Sequence, residues 1–239
     1  MKIYKDEKRI TRSARIGQIT TFGGLIVLGL GMYLTFTYPE QVTAAWGCLL
    51  AGFLLSQVGI YFGNRFGRRP RPDEVLDAAL KGMDDRWSVY HYFSKIADHL
   101  LVGPGGIWLL KPYHQTGKLV RNPKNKRWEI KGGGAIQAYL RIFAQENIGR
   151  PELEIESEKE ELKRFFAAQK PDVEFPDIKA ALVMTSARIE IDEDAQIEDE
   201  IYPVIAAKLK ELVRKQSKES GLQPTKLTEI TAALDTLHD

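Results

Sequence analysis

Asp98, Lys111 and Tyr113 lie near the two ends of a largely apolar stretch, residues 97–117, which predicts a β-hairpin. Folding this stretch at its centre places Asp98 opposite Lys111. Because side chains alternate between the two faces of a strand, Tyr113 is expected beside them at the open end. A carboxylate at such a corner can bind a metal ion, or an ammonium can neutralise it instead. The function of the chain therefore depends on whether this corner holds a metal.

The turn of the hairpin is predicted at Pro104-Gly105. Proline presets φ at the first central position of a type II turn, and glycine accepts a positive φ at the second. A turn at this place also sets the cross-strand pairs. These are Leu100 with Leu109 and Val102 with Ile107.

Residues 72–239 are predicted to form a domain of the α/β or α+β class, with one mixed sheet flanked by helices. Helices are expected from Pro72 onward and at four further segments: about Ala135–Glu146, Glu158–Gln169 with Ser157 as N-cap, about Ile201–Lys215, and about Lys226–Leu237. Besides the hairpin, strands are expected at Trp87–Phe93, Lys118–Arg121, Arg127–Ile130 and Ile178–Thr185. The last of these is almost wholly apolar, which is typical of a strand covered on both faces.

Residues 1–71 are predicted to form a membrane anchor of two helices. Ile16–Phe36 and Val42–Gly63 contain no charged residue, and each matches the roughly 20 residues that a bilayer-spanning helix needs. A signal peptide would have a shorter apolar core, of about 7–15 residues. A buried helix pair of a soluble protein is the other alternative. The lone cysteine, Cys48, lies in the second span, so no disulfide within the chain is possible.

Charge patterning predicts the orientation of this anchor. Lys and Arg residues precede the first span and follow the second, whereas the connecting loop has none. The positive-inside rule therefore predicts a multi-pass protein of the plasma membrane with both termini in the cytoplasm. Beyond residue 71 there remain 24 basic and 29 acidic residues, a net charge of −5. The basicity of the whole chain is thus a feature of the anchor, which weakens a general claim of nucleic-acid binding.

Small residues recur at intervals of seven in both spans. The first span carries Gly17, Gly24 and Gly31, and the second carries Ala45, Gly52 and Gly59. Small residues on one face let two helices approach closely in lipid, where packing drives association. Since the spans contain no ionisable relay, we expect an anchor rather than a transport path.

Several motifs of residues 72–239 occur together in one known family. They are Glu74 in the first helix, Ala97-Asp98-His99-Leu100-Leu101-Val102, Gly103-Pro104-Gly105-Gly106-Ile107, Gly117, Trp128 and the late strand 180–184. In this combination the chain resembles the nuclease-related domain (NERD) family, which has the restriction-endonuclease-like PD-(D/E)xK fold. The resemblance covers most of residues 72–239. It implies that, in active relatives, the aspartate and the glutamate of an E-x-K motif hold Mg²⁺ while the lysine helps to activate water.

The chain departs from the family pattern at the E-x-K motif. The family glutamate falls on Lys111 and the family lysine on Tyr113, whereas Asp98 and Glu74 are retained. Mg²⁺ prefers anionic oxygen ligands, and an ammonium at this place repels the ion and can pair with Asp98. We therefore expect an Asp98–Lys111 ion pair, no metal cofactor and no catalysis. The expected function is that of a membrane-anchored binding or scaffolding module.

The alternative is an active, Mg²⁺-dependent DNA nuclease with a relocated motif. Glu129-Ile130-Lys131 is a literal E-x-K, and the alternative combines Glu129 and Lys131 with Asp98 and Glu74. Matches of three residues are common by chance, so a solvated strand face is the simpler interpretation. His99 follows Asp98 and should point to the opposite face, where a hydrogen-bonded structural role is expected.

A basic strip follows the hairpin. Its candidates for contact with a nucleic-acid backbone are Lys118, Arg121, Lys124 and Arg127. A lysine-rich edge that discourages sheet pairing explains the same charges. The partners that the sequence predicts are a lipid bilayer and either another protein or a second copy of the chain. The net charge of the domain does not favour nucleic acid.

Overall fold

A computed structural model of the chain describes residues 1–94, 96–125, 127–132, 134, 148–169, 176–192, 201–219 and 221–236. The described chain divides into two compact units. One contains residues 7–71, and the other contains residues 1–6 with the described residues from 72 onward. The fold is mixed α/β, as expected. The predicted helix at 135–146 lies outside the described residues.

The first unit is a helical hairpin. It contains α1 (Glu7–Thr37) and α2 (Val42–Phe62), followed by a π-helical turn (Gly63–Gly67). Both helices are long and apolar enough to cross a membrane. The first begins well before Ile16, so four of the basic residues that precede the apolar span, Lys8, Arg9, Arg12 and Arg15, are also helical.

Glycines form the packing surface between α1 and α2. The small residues at intervals of seven are buried, which confirms the prediction of one packing face. A Cβ atom on Gly24 would lie 2.9 Å from the backbone nitrogen of Ser56, and one on Gly52 would lie 2.7 Å from that of Leu28. Real Cβ atoms do not approach a backbone this closely, so only glycine permits this separation of the two helices.

The described residues of the second unit form two sheets. Its strands are β1 (Lys2–Lys5), β2 (Ser88–His91), β3 (His99–Gly103), β4 (Gly106–Tyr113), β5 (Gly117–Arg121), β6 (Trp128–Lys131), β7 (Ile178–Met184), β8 (Ile189–Ile191) and β9 (Ile201–Ile205). Six form a mixed sheet in the order β1-β2-β3-β4-β7-β9, and three form a smaller sheet in the order β6-β5-β8. The pairs β2–β3 and β3–β4 are antiparallel, whereas β1–β2, β4–β7 and β7–β9 are parallel.

The hairpin of β3 and β4 has the predicted register. Leu100 lies opposite Leu109 and Val102 opposite Ile107. The turn type is different from the prediction, because the positive φ (104°) belongs to Gly106 and not to Gly105. The type II assignment is therefore wrong. The chain reverses at Pro104-Gly105 and then needs glycine at the first residue of β4.

In the described part of the chain, four helices cover the six-stranded sheet. They are α3 (Pro72–Leu80), α4 (Pro151–Gln169), α5 (Leu209–Glu219) and α6 (Pro224–Asp235). On one face, α3 and α5 pack with the buried side chains of Val89, Leu101, Trp108 and Leu110. On the other face, α4 and α6 pack with those of Leu100, Val102, Ile107 and Leu109. Alternation along each strand therefore decides which helices a given side chain meets.

Three predicted segments differ in the structure: one in the type of element, one in its bounds and one in the unit to which it belongs. Residues 201–205 were expected to be helical, but this apolar IYPVI segment is an edge strand that pairs with β7. The helix expected from Glu158 begins at Pro151, which suits the first turn of a helix, so Ser157 is not its N-cap. The N-terminal residues were expected to belong to the anchor, but Lys2–Lys5 pair with β2 by backbone hydrogen bonds.

Candidate functional site

The ammonium of Lys111 is held by two glutamates of α4. Its Nζ atom lies 2.7 Å from Oε1 of Glu154 and 2.5 Å from Oε1 of Glu158. The side chain of Lys111 is 9% exposed, and those of Glu154 and Glu158 are 54% and 14% exposed. Lys111 lies on the face of β4 that α4 covers, and the two glutamates are one helical turn apart. Asp98 precedes β3 and lies outside both ion pairs, so the ionic partners of Lys111 differ from the expected one.

Tyr113 lies two residues further along the same face of β4. Burial raises the pKa of its phenol, and the negative charges of Glu154, Glu158 and Glu152 raise it further. Like any phenol, it is neutral at physiological pH and cannot supply the positive charge of a lysine. We call Lys111, Tyr113, Glu154 and Glu158 the Lys111 site.

Glu74, the predicted helix acid, does not share a face of the sheet with the Lys111 site. It lies on α3, which packs on the opposite face of the six-stranded sheet from α4. The acids of α3 that meet the sheet are instead Asp73, which is fully buried, and Asp77. Asp73 and Asp77 are four residues apart and therefore lie on one side of the helix.

A second cluster, which the sequence did not predict, surrounds these two aspartates. Lys5 Nζ lies 2.9 Å from Oδ2 of Asp73 and 2.5 Å from Oδ2 of Asp77. Asp77 Oδ1 lies 3.0 Å from Nε2 of His91, and His91 Nδ1 lies 2.8 Å from Nδ1 of His99. We call these five residues the Lys5 cluster. Both imidazoles are buried, and His99 has the structural hydrogen bond expected of it.

In the Lys5 cluster, Asp77 and Lys5 each stabilise the ionised form of the other. Burial by itself would raise the pKa of Asp77, but hydrogen bonds and charges from His91 and Lys5 outweigh it and lower the pKa. Burial would likewise lower the pKa of Lys5, but Asp77 and Asp73 raise it. The aspartate and the lysine are thus both ionised at neutral pH.

The backbone of Tyr92, beside this cluster, is strained. Its φ is 57°, which is uncommon for a residue with a side chain. Its ring lies edge-on to that of His99, with 4.7 Å between the centroids, and its amide donates to the carbonyl oxygen of Asp98 at 2.6 Å. In the sequence, the Lys5 cluster could have been recognised from the spacing of Asp73 and Asp77 and from a histidine on each of two paired strands.

The alternative nuclease centre is not assembled among the described residues. Glu129 Oε1 accepts a hydrogen bond of 2.8 Å from Asn122 Nδ2, in the three-stranded sheet, and Lys131 is exposed there. Asp98 precedes β3 of the other sheet, and Glu74 lies on α3. Within the described ranges, no three His, Cys, Asp or Glu side chains are grouped closely enough to hold a metal ion.

The predicted nucleic-acid contacts do not form one surface. Lys118 pairs with Asp192 at 2.8 Å. Lys118 and Arg121 are three residues apart along β5, so their side chains lie on opposite faces of the strand. Arg121 lies over the ring of Trp128, 5.4 Å from its centroid, on the other face of the strand pair. The exposed Lys124 and Arg127 lie in the loop that joins β5 to β6. Of the four, these last two share one exposed loop.

Among the described residues, two ionic groups lie on opposite faces of the six-stranded sheet: the Lys111 site and the Lys5 cluster. Comparison of the chain with protein-family models, with curated proteins and with solved structures finds no match. The geometry of these two groups is therefore the basis for a functional proposal.

Proposed function

We propose that the protein is a membrane-anchored, NERD-like binding module that does not cleave nucleic acid. The supporting observation is the ammonium of Lys111, which occupies the position that the resemblance assigns to a metal-binding glutamate and is held there by Glu154 and Glu158. A divalent cation in its place would have to overcome the repulsion of a buried positive charge. The partner of the module is another protein or a second copy of the chain.

The second supporting observation is the neutral phenol of Tyr113. In an active E-x-K centre, the second conserved side chain is a cation that activates water. A phenol has no cationic form at physiological pH, and the acids around Tyr113 make that position electronegative. The nuclease mechanism requires an anion and then a cation, whereas these two positions hold a cation, Lys111, and a neutral phenol, Tyr113.

The proposed anchor is the hairpin of α1 and α2, as a multi-pass segment of the plasma membrane with both ends in the cytoplasm. Large apolar side chains cover the outside of both helices, among them Phe22, Ile26, Phe36 and Trp46. Strand β1 precedes the hairpin and α3 follows it, and both belong to the same compact unit. Two ends that connect to one folded unit favour the same side of a bilayer, in agreement with the basic flanks.

The absence of nuclease activity can be tested with the full-length protein in nanodiscs. We expect supercoiled plasmid to stay intact with Mg²⁺ or Mn²⁺. The double variant Lys111→Glu/Tyr113→Lys restores the residues of the family motif and serves as the positive control. Nicking by the wild-type protein that is lost in Asp98→Ala would refute the proposal, and nicking lost in Glu129→Gln would support the relocated motif instead.

The orientation can be tested by cysteine labelling in a Cys48→Ser background. A membrane-impermeant maleimide added to intact cells should label Glu40→Cys, in the loop between the two helices. It should label Asn125→Cys only after the cells are opened. The reverse pattern would contradict the orientation, and labelling of both sites in intact cells would contradict membrane insertion of the hairpin.

A further inference from the structure

The outer surface of α1 changes from basic to apolar within one helical turn. Its basic part, here called the basic stripe, consists of three exposed residues: Lys8, Arg12 and Arg15. Its apolar part, here called the apolar stripe, consists of three exposed residues further along the helix: Ile19, Phe22 and Ile26. Successive members of this series are four or three residues apart, so all six lie on one side of the helix.

This side of α1 lies opposite the surface that packs on α2. The buried residues of α1 are Ile10, Ser13, Gly17, Gly24 and Gly31. With 3.6 residues per turn, Gly17 lies about half a turn around the helix from both Lys8 and Ile26. The two stripes therefore face away from α2, on the outside of the helical hairpin.

The turn that follows α2 brings a further cation to the same end of the hairpin. A Cβ atom on Gly17 would lie 2.9 Å from Cβ of Phe62, so the end of α2 packs beside the beginning of α1. In the π-helical turn that follows, Arg65 Nη1 donates a hydrogen bond of 2.6 Å to the hydroxyl oxygen of Tyr61. Its guanidinium also lies over the ring of Tyr61, 5.7 Å from the centroid. Cations from α1 and from this turn thus lie at one end of the hairpin.

The charge of the hairpin differs between its two ends. Glu7 is the only acidic residue of α1 and is its first residue. The loop that joins α1 to α2, at the other end, contains Glu40 and no Lys or Arg. An anionic partner is therefore attracted to the end that carries the basic stripe.

The length of the basic stripe matches the headgroup layer of a bilayer. Lys8 and Arg15 are about 10 Å apart along the helix axis, and Arg12 and Arg15 are about 4.5 Å apart. The polar layer on each side of a bilayer is about 5–8 Å thick. When the apolar stripe lies in hydrocarbon, Arg12 and Arg15 therefore lie in the headgroup layer. A guanidinium can donate two parallel hydrogen bonds to one phosphate group.

We propose that the basic stripe binds the phosphate groups of anionic phospholipids, whose acyl chains lie along the apolar stripe. This proposal rests on the proposed membrane anchor and adds a preference for one class of lipid. A soluble phosphate compound would contact the cations but not the adjacent apolar stripe, whereas a phospholipid contacts both. A zwitterionic phospholipid is bound less strongly, because its own cation offsets the charge of its phosphate.

The lipid preference can be measured with the full-length protein in phosphatidylcholine vesicles that contain a trace of spin-labelled lipid. Electron paramagnetic resonance distinguishes lipid immobilised at the protein surface from bulk lipid. We expect phosphatidylglycerol to associate about three- to fivefold more strongly than phosphatidylcholine at low salt, and added salt to reduce this preference. Equal association of the two lipids would overturn this proposal and leave the anchor intact. If neither lipid were immobilised, the anchor would be refuted together with it.

Variants show whether the basic stripe causes the preference. Arg12→Gln/Arg15→Gln should abolish the preference for phosphatidylglycerol, while the amount of immobilised phosphatidylcholine is kept. The matched control is Lys124→Gln/Arg127→Gln, which removes two exposed charges from the other compact unit and should keep the preference. An equal loss in both variants would mean that the overall charge attracts the lipid, which would refute the role of the stripe.

Glycerol 3-phosphate distinguishes a lipid from a soluble ligand, because it has the phosphate group without the acyl chains. Added at the same total concentration as the lipid, it should leave the preference for phosphatidylglycerol unchanged. Displacement of the immobilised phosphatidylglycerol would assign the basic stripe to a soluble phosphate compound and overturn the assignment to a lipid.

Discussion

Nζ of Lys111 and Oε1 of Glu158 lie 2.5 Å apart between β4 and α4, with only 9% and 14% of their side chains exposed. Two opposite charges removed from water in this way depend on each other, because each would be costly to bury alone. Glu154, which is half exposed, completes the group at 2.7 Å. The contact fixes the start of α4 on the sheet and places a cation in the centre of the site that the sequence singled out.

Removal of the ammonium should be strongly destabilising. We expect Lys111→Met to lower the free energy of unfolding by about 3 kcal/mol, because Glu158 then stays buried without its partner. The matched control is Lys118→Met, whose half-exposed side chain pairs with Asp192 and should cost less than about 1 kcal/mol. Urea unfolding followed by tryptophan fluorescence measures both. Similar losses for the two variants would contradict the buried character of the Lys111 pair.

The glycine interface of the helical hairpin should not tolerate a methyl group. Gly52→Ala would place a Cβ atom 2.7 Å from the backbone nitrogen of Leu28, so the helices must separate, at a cost of about 1–3 kcal/mol. Gly23→Ala, where nothing lies within 4 Å, is the control and should leave stability unchanged. The apparent melting temperature in detergent is the measurement. A Gly52→Ala protein as stable as the control would mean that the two helices do not pack in this way.

Asp77 should make the protein sensitive to acid. Its pKa in the folded chain is below the ordinary 3.8, so it contributes stability that is present above that pH and is lost as the pH falls through the folded value. We expect the free energy of unfolding to decline more steeply below about pH 4 for the wild-type protein than for Asp77→Asn. Asp85→Asn, at an exposed carboxylate, should follow the wild-type curve. Parallel curves for Asp77→Asn and the wild-type protein would contradict the assignment.

The loop between β5 and β6 should carry any electrostatic attraction to nucleic acid in this region. Lys124→Gln/Arg127→Gln removes two exposed charges and should weaken binding of single-stranded DNA at low salt and reduce its salt dependence. Arg121→Gln should have a smaller effect on binding, since that guanidinium lies over Trp128. Fluorescence anisotropy over a salt series measures the change. A larger effect of Arg121→Gln would indicate that the nucleic acid contacts the face of β5 that carries Arg121 rather than the loop.

Local patterns in the sequence determined much of the fold. The alternation around Pro104-Gly105 gave the correct register of β3 and β4, and the apolar run at 178–185 gave the interior strand β7. The heptad spacing of small residues gave the packing face of the helical hairpin. Each of these features depends on residues close together in the chain, whose periodicity shows directly which side is buried.

Only the tertiary structure decided which distant residues meet. The sequence placed Lys2–Lys5 in the anchor and residues 201–205 in a helix, yet both are edge strands whose partners lie far away in the chain. It assigned Glu74 to the site, whereas Asp73 and Asp77 face the sheet. It also paired Lys111 with Asp98, but α4 covers that face and supplies two glutamates. Periodicity shows which face of an element is buried, but only the packing of helices on the sheet determines which charges meet there.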